Sequence, residues 1–110
     1  MKLNILWTSP DPDNFFKMVA MYAFNAPKKG WWEQISIIIW GGSTRLVGEH
    51  LAVRNRLKEL AAAGVELRAC RACAEQLGVA EILEDLGVDV DYMGEPLTEL
   101  LKSDAKLLTI

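Results

Sequence analysis

The sequence predicts an α/β protein, a parallel sheet with helices on both faces. Two observations carry this. Short apolar runs alternate with longer segments whose apolar residues recur at three- and four-residue steps, and such alternation implies parallel strands joined by right-handed crossovers. The run Ile35-Ser36-Ile37-Ile38-Ile39-Trp40 is β-forming and almost wholly apolar, as a strand covered on both faces must be. A chain of 110 residues holds one domain, residues 1–110. It buries roughly 65% of the surface of the unfolded chain, enough to fold without a disulfide or a structural metal.

Residues 3–8 read as the first strand, with Leu3, Ile5, Leu6 and Trp7 nearly continuous in apolar character. Ser9-Pro10-Asp11-Pro12-Asp13 breaks it. Asp11 is placed to cap the next helix, with Pro12 at its first position. Over residues 13–26, Phe15, Met18, Val19, Tyr22 and Ala26 form an apolar helical face, and Pro27-Lys28-Lys29-Gly30 ends it. The central strand spans residues 34–40. Gly41-Gly42 follows at once, Ser43 or Thr44 is positioned as a cap, and one long helix runs to about residue 63. Leu46, Val47, Leu51, Val53, Leu57 and Leu60 mark its inner side; Arg45, Arg54 and Arg56 fall on its wet side. Residues 65–69 form a short strand. Residues 73–77 form a helical turn closed by Gly78, and 80–86 a second short helix closed by Gly87. An alternating edge strand at 88–92, a helix at 95–102 and a strand at 105–110 complete the chain.

The apolar fraction is 51% and the charged fraction 25%, both ordinary for a globular protein. Twelve basic residues face fifteen acidic ones, a net charge of −3, which argues against a nucleic-acid partner, since that needs a basic footprint. No window approaches the ~20 apolar residues that span a bilayer, so no membrane association is expected. The opening run Met1 to Trp7 lacks a signal-peptide pattern, so a cytoplasmic location is expected.

In open parallel sheets, ligands and reactive groups collect beyond the C-terminal ends of the strands. Three segments belong there: Thr8-Ser9, Gly41-Gly42-Ser43-Thr44 and Cys70-Arg71-Ala72-Cys73. They share one edge if the first three strands are neighbours. The third segment holds both cysteines of the chain. Without an export signal, two cysteines fit reactive chemistry better than a staple. The start of a helix favours a thiolate, and Arg68 and Arg71 add positive potential. The plainer alternative is that both cysteines are small buried hydrophobes. The Arg71-Ala72 insert is neither aromatic nor Gly-Pro-like, which disfavours thioredoxin-type exchange. Gly41 and Gly42, with Ser9, Ser43, Thr44 and Arg71 around them, offer a short cradle for a small anion. They lack dinucleotide or Walker spacing, and a tight turn after a buried strand is the favoured reading. Zinc needs about four ligands, and the chain supplies two cysteines and a lone His50 on the long helix. Neither a metal nor a cofactor is expected. Trp31 and Trp32 cannot easily both point inward, and one belongs in a subunit contact.

Taken together, the chain resembles the DsrE/DsrF-like family of small sulfur-relay and sulfur-oxidation proteins. The resemblance rests on the opening strand with its Ser-Pro-Asp-Pro-Asp turn and helix, and on the apolar strand ending in Ile39-Trp40-Gly41. It continues through Gly64-Val65-Glu66-Leu67-Arg68-Ala69-Cys70-Arg71-Ala72-Cys73, Leu77-Gly78-Val79 and Leu107-Leu108-Thr109-Ile110. It implies a three-layer α/β/α sandwich around a five-stranded parallel sheet, assembled as a homo-oligomer, a trimer or hexamer. It also implies a persulfide on the cysteine that ends the third strand, here Cys70, passed between a sulfur donor and an acceptor protein. Cys73 matches the extra cysteine of stand-alone members. Many carriers have a basic residue just before the following glycine; here it is Leu77, ahead of Gly78. Three functions follow: a sulfur carrier, a non-catalytic module binding a small anion or nucleotide, and a Cys70–Cys73 dithiol switch.

Overall fold

A computed structural model describes residues 1–110. Five strands form one sheet: β1 (Lys2–Trp7), β2 (Gln34–Ile39), β3 (Glu66–Cys70), β4 (Asp89–Asp91) and β5 (Lys106–Thr109). Their order is β4-β3-β2-β1-β5 and every neighbouring pair is parallel. The first three strands are neighbours, so the loops that follow them share one edge. The chain steps outward from β1 to β4 and then returns across the sheet to place β5 beside β1. Right-handed crossovers running in opposite directions put their helices on opposite faces.

The residues show this division. Leu3, Ile5 and Trp7 pair in register with Ile35, Ile37 and Ile39. With Leu67, Ala69 and Val90 they form the larger core, covered by side chains of the helices between β1 and β4. Those helices are α2 (Ala20–Lys28), α3 (Gly42–Glu49), α4 (Leu51–Ala62), α5 (Arg71–Gln76) and α6 (Ala80–Asp85); a short α1 (Pro12–Asn14) precedes them and buries no residue. The other face carries a small cluster of Ile38, Cys70 and Met93, with Leu6, Trp40, Cys73 and Leu100 against it. Leu100 comes from α7 (Gly94–Lys102), the only helix between β4 and β5. The protein is thus a three-layer α/β/α sandwich with unequal outer layers.

Asp11 caps the first helix as expected, its Oδ1 accepting the Asp13 N–H at 2.9 Å, with Pro12 at the first position. The segment 12–28 is less regular than the periodicity suggests. A π-helical stretch, Phe15–Val19, separates α1 from α2, and the Ala20 N–H bonds back to Phe15 O. The wide turn lets Phe15, Val19, Ala20, Ala23 and Ala26 all reach the core.

The long helix expected after the central strand is two helices. His50 is extended (φ −127, ψ 104), ending α3 and beginning α4. Arg54 reaches back from α4 and donates from Nη1 to the carbonyls of Val47 and Gly48 at 2.9 and 3.0 Å. It satisfies groups that a helix end leaves without partners, so this residue of the expected wet side is half-buried. The break lets α3 lie close to the loop between α5 and α6. A Cβ at Gly48 would stand 2.6 Å from Val79 Cγ1. Gly48→Ala should therefore cost about 1–3 kcal/mol in urea denaturation through overpacking. Combined with Val79→Ala, the loss should be smaller than the sum of the two single changes.

Candidate functional site

The site is built at the C-terminal ends of β1, β2 and β3. At the end of β2 the chain must turn sharply, and Gly41 does so with φ +67. Gly41, not Ser43 or Thr44, is the cap residue of α3, and neither hydroxyl caps the helix. Gly42 is pressed against the loop after β1: an added Cβ would stand 3.0 Å from Thr8 O and 3.1 Å from Pro10.

Ser43 fastens this junction. Its Oγ accepts the Trp40 N–H at 3.1 Å and donates to Trp7 O at 2.5 Å. Its own N–H is bonded to Thr8 O at 3.1 Å. The Thr44 N–H is spent on Gly41 O at 3.1 Å, and the buried Thr44 hydroxyl has no partner. The Ser9 hydroxyl accepts from Asp11 N–H and Asn14 Nδ2, both at 3.2 Å, and so holds its own loop. The backbone N–H groups of Ser43 and Thr44 and the Ser43 hydroxyl are thus committed within the chain, as in a tight turn after a buried strand.

Cys70 is the last residue of β3 and the cap residue of α5, with extended dihedrals (φ −72, ψ 118). Helix α5 begins at Arg71, two residues earlier than the periodicity suggests, and places Cys73 within its first turn. Because Cys70 is on the α7 side of the sheet, its side chain lies among Ile38, Met93 and their neighbours, and the residue is 4% exposed. Cys73 is half-buried, packs at the edge of the same cluster, and lines a cleft of about 190 Å³ with Gly41, Gly42, Arg45, Gln76 and Leu77. Both thiols are free. The structure therefore gives the two cysteines different surroundings, one apolar and closed, one opening beside the Gly-Gly turn.

The arginines are arranged differently from their order in the chain. Arg71 turns away, donating to Val90 O and standing 3.7 Å from Glu75. Arg68 lies 3.9 Å from Glu66 on the sheet face. The cation beside Cys73 is Arg45, exposed and without an acidic partner. Its signal in the sequence was its place in the first helical turn after the most apolar strand, but a helical wheel assigns it only to solvent. His50 meets the edge of Phe16 at 5.9 Å between ring centroids and takes no part in the cleft. No group of three or more metal-ligating side chains is gathered anywhere in the structure. No helix is long and apolar enough to cross a membrane.

Comparisons with known proteins agree with this architecture. The chain is 47% identical to BT1422 from Bacteroides thetaiotaomicron, a conserved protein of unknown function, over 99% of this chain and 94% of that one. The two structures superpose with a TM-score of 0.96. The chain belongs to the family of BT1422. The ychN protein of E. coli shares the fold, with a TM-score of 0.72 at 16% identity, over 99% of this chain and 97% of that one. No protein-family model matches the chain, and no curated protein does.

Two measurements test the site as built. Ser43→Ala should cost about 1–3 kcal/mol in denaturant unfolding, because buried partners lose their hydrogen bonds, whereas Thr44→Val should cost nothing measurable. In the native state Cys73 should be alkylated at least roughly tenfold faster than Cys70, whose thiol is closed off from reagent. Trypsin cuts after Arg71 and separates the two for mass spectrometry. Equal rates before unfolding would contradict the burial of Cys70.

Proposed function

We propose that this protein is an intracellular sulfur carrier of the DsrE/DsrF-like type, with its persulfide on Cys70. The observation that supports this reading is the pair of free thiols in unlike settings at the end of β3. Cys73 meets the donor at the cleft. Its thiolate attacks the outer sulfur of the donor's persulfide; a new S–S bond forms on Cys73, the donor's S–S bond breaks, and the electron pair leaves on the donor thiolate. Cys70 takes the sulfur by the same displacement, which returns Cys73 to a thiolate. The Cys70 persulfide then rests among Ile38, Met93 and Leu100, shielded from water and from small thiols. Delivery reverses the path to an acceptor thiol. No oxidant is consumed, since each displacement exchanges one S–S bond for another.

Incubation with a cysteine desulfurase and cysteine should add about 32 Da to the intact chain, reversed by dithiothreitol once the chain is unfolded. After alkylation and trypsin cleavage the settled adduct should map to Cys70. Cys73→Ser should still load, roughly several-fold more slowly, and the double Cys70→Ser/Cys73→Ser variant should not load at all. No adduct on the wild type, or one that settles on Cys73 alone, would sink the proposal. A dithiol switch is the second reading, favoured by the packing of Cys73 against the cluster that holds Cys70. It is marked by a loss of about 2 Da under mild oxidation and no gain from the desulfurase.

A further inference from the structure

The cleft beside Cys73 has a size and a sign. It measures about 190 Å³, where drug-sized ligands occupy roughly 300–1,000 Å³. Liquid water takes about 30 Å³ per molecule, so roughly six waters fill the space. That suits a molecule the size of one amino acid. No acidic side chain lines the cleft, and Arg45 is its one charged residue. The chain as a whole carries a net charge of −3, so this is a basic spot on an acidic protein. The Cys73 thiol is free and half-buried in its wall.

Arg45 is also the arginine left over. The chain has five. Arg54 is spent on the carbonyls of Val47 and Gly48, Arg71 on Val90 O, Arg56 on Glu59 at 3.3 Å and Arg68 on Glu66 at 3.9 Å. Arg45 has no such partner, although Glu49 stands one turn along the same helix and lines the neighbouring cleft with it. An unpaired guanidinium presents a planar fork that matches a carboxylate. The turn before it keeps a donor in hand. The N–H groups of Trp40, Ser43 and Thr44 have backbone acceptors; that of Gly41 has none. Gln76 adds an exposed amide, and Leu77 an apolar wall for a short carbon chain. A thiol and a cation around so small a space fit one molecule with sulfur at one end and a carboxylate at the other.

We infer that this cleft is a recognition site for a small thiol compound bearing a carboxylate, with its sulfur at Cys73 and its carboxylate on Arg45. This deepens the carrier proposal by naming the class of molecule that brings sulfur to Cys73, and it rests on that proposal only for the sulfur step. In that step the small molecule enters as its persulfide. The Cys73 thiolate attacks the terminal sulfur, the S–S bond of the small persulfide breaks, and its electron pair leaves on the small thiolate. The proton of the terminal sulfur travels with it, so Cys73 ends as a persulfide and no oxidant is needed.

Three symmetric disulfides separate charge from size. Dithiodipropionate, hydroxyethyl disulfide and cystamine set a carboxylate, a hydroxyl and an ammonium at the same distance from sulfur. Mixed-disulfide formation on the full-length native chain is followed by intact mass, mapped to Cys73 after trypsin, and divided by the rate on the unfolded chain. Dithiodipropionate should react roughly five- to tenfold faster than hydroxyethyl disulfide, and cystamine more slowly than either. High salt should erase most of the difference, because exposed charges are screened. Arg45→Gln should bring the three rates together, and Arg45→Lys should keep part of the preference. Arg45 is exposed and unpaired, so circular dichroism should show the native fold in both variants. A wild type without preference for dithiodipropionate overturns the inference, and so does a preference that Arg45→Gln leaves intact. The desulfurase assay reads the carrier step separately. Sulfur gained there without a carboxylate preference here leaves the carrier and removes this site; the preference without any gain of sulfur leaves this site and removes the carrier.

Discussion

Strand β2 has to be dry on both faces, and most of the structure follows from meeting that demand. After Gln34 every residue of the strand is buried. One face is satisfied generously by the π-helical stretch and α2 to α6. The other is satisfied only where it must be, by α7, Met93 and the side chains of Cys70 and Leu6 around Ile38. Toward the start of the strands the same face is closed by polar groups: Lys2 reaches Glu66 at 2.8 Å, Asn4 Nδ2 donates to Lys106 O at 3.2 Å, and the Ser36 hydroxyl is left buried between them without a partner. Cys70 is buried because it is part of this small second core, not because its loop is folded over it.

This explains why two cysteines three residues apart are physically so different. A strand directs alternate side chains to opposite faces, so Cys70 shares the side of Arg68 and Ile38. One residue later the chain is helical, and a turn of helix carries Cys73 round to the gap between α5 and α3. Gly41 and Gly42 line one wall of that gap, and their missing side chains let the turn lie against the loop after β1. The Ser43 hydroxyl, clamped between the ends of β1 and β2, fixes where that gap is. The fold thus sets a closed thiol behind an open one, with the exposed charge of Arg45 at the opening.

Much of this was legible in the sequence because it rests on pattern. The parallel sheet followed from strand and helix periods, and the turn after β2 from two glycines beyond an apolar run. The cap at Asp11 followed from the residue before a proline. What escaped was set by tertiary contact. The break at His50 has no proline to announce it, and a lone glycine at 48 does not by itself end a helix; it exists because Gly48 fits against Val79 and because Arg54 can take the freed carbonyls. The π-helical stretch cannot be told from an ordinary helix by apolar spacing alone. The neighbourhood of Arg71 was misjudged because adjacency in sequence says little once a strand becomes a helix: its guanidinium belongs to β4, and Arg45, from a distant segment, takes the place beside Cys73. The unequal covering of the two faces was also hidden, since the order of strands across the sheet is not written in any single segment.

Helix α7 closes the second face without burying any residue of its own completely. Leu97 and Leu100 are only half-buried and Leu101 is 64% exposed. Segments with so little buried apolar surface sit at the low end of a protein's range of local unfolding energies. The helix also spans the return from β4 to β5, so it can lift without disturbing the pairing of β1, β2 and β3. If that helix breathes, the cover that Leu100 gives the Cys70 cluster breathes with it. The chemical lifetime of the thiol would then depend on how seldom that helix opens, and a partner that gripped α7 would hold a latch as well as a docking point.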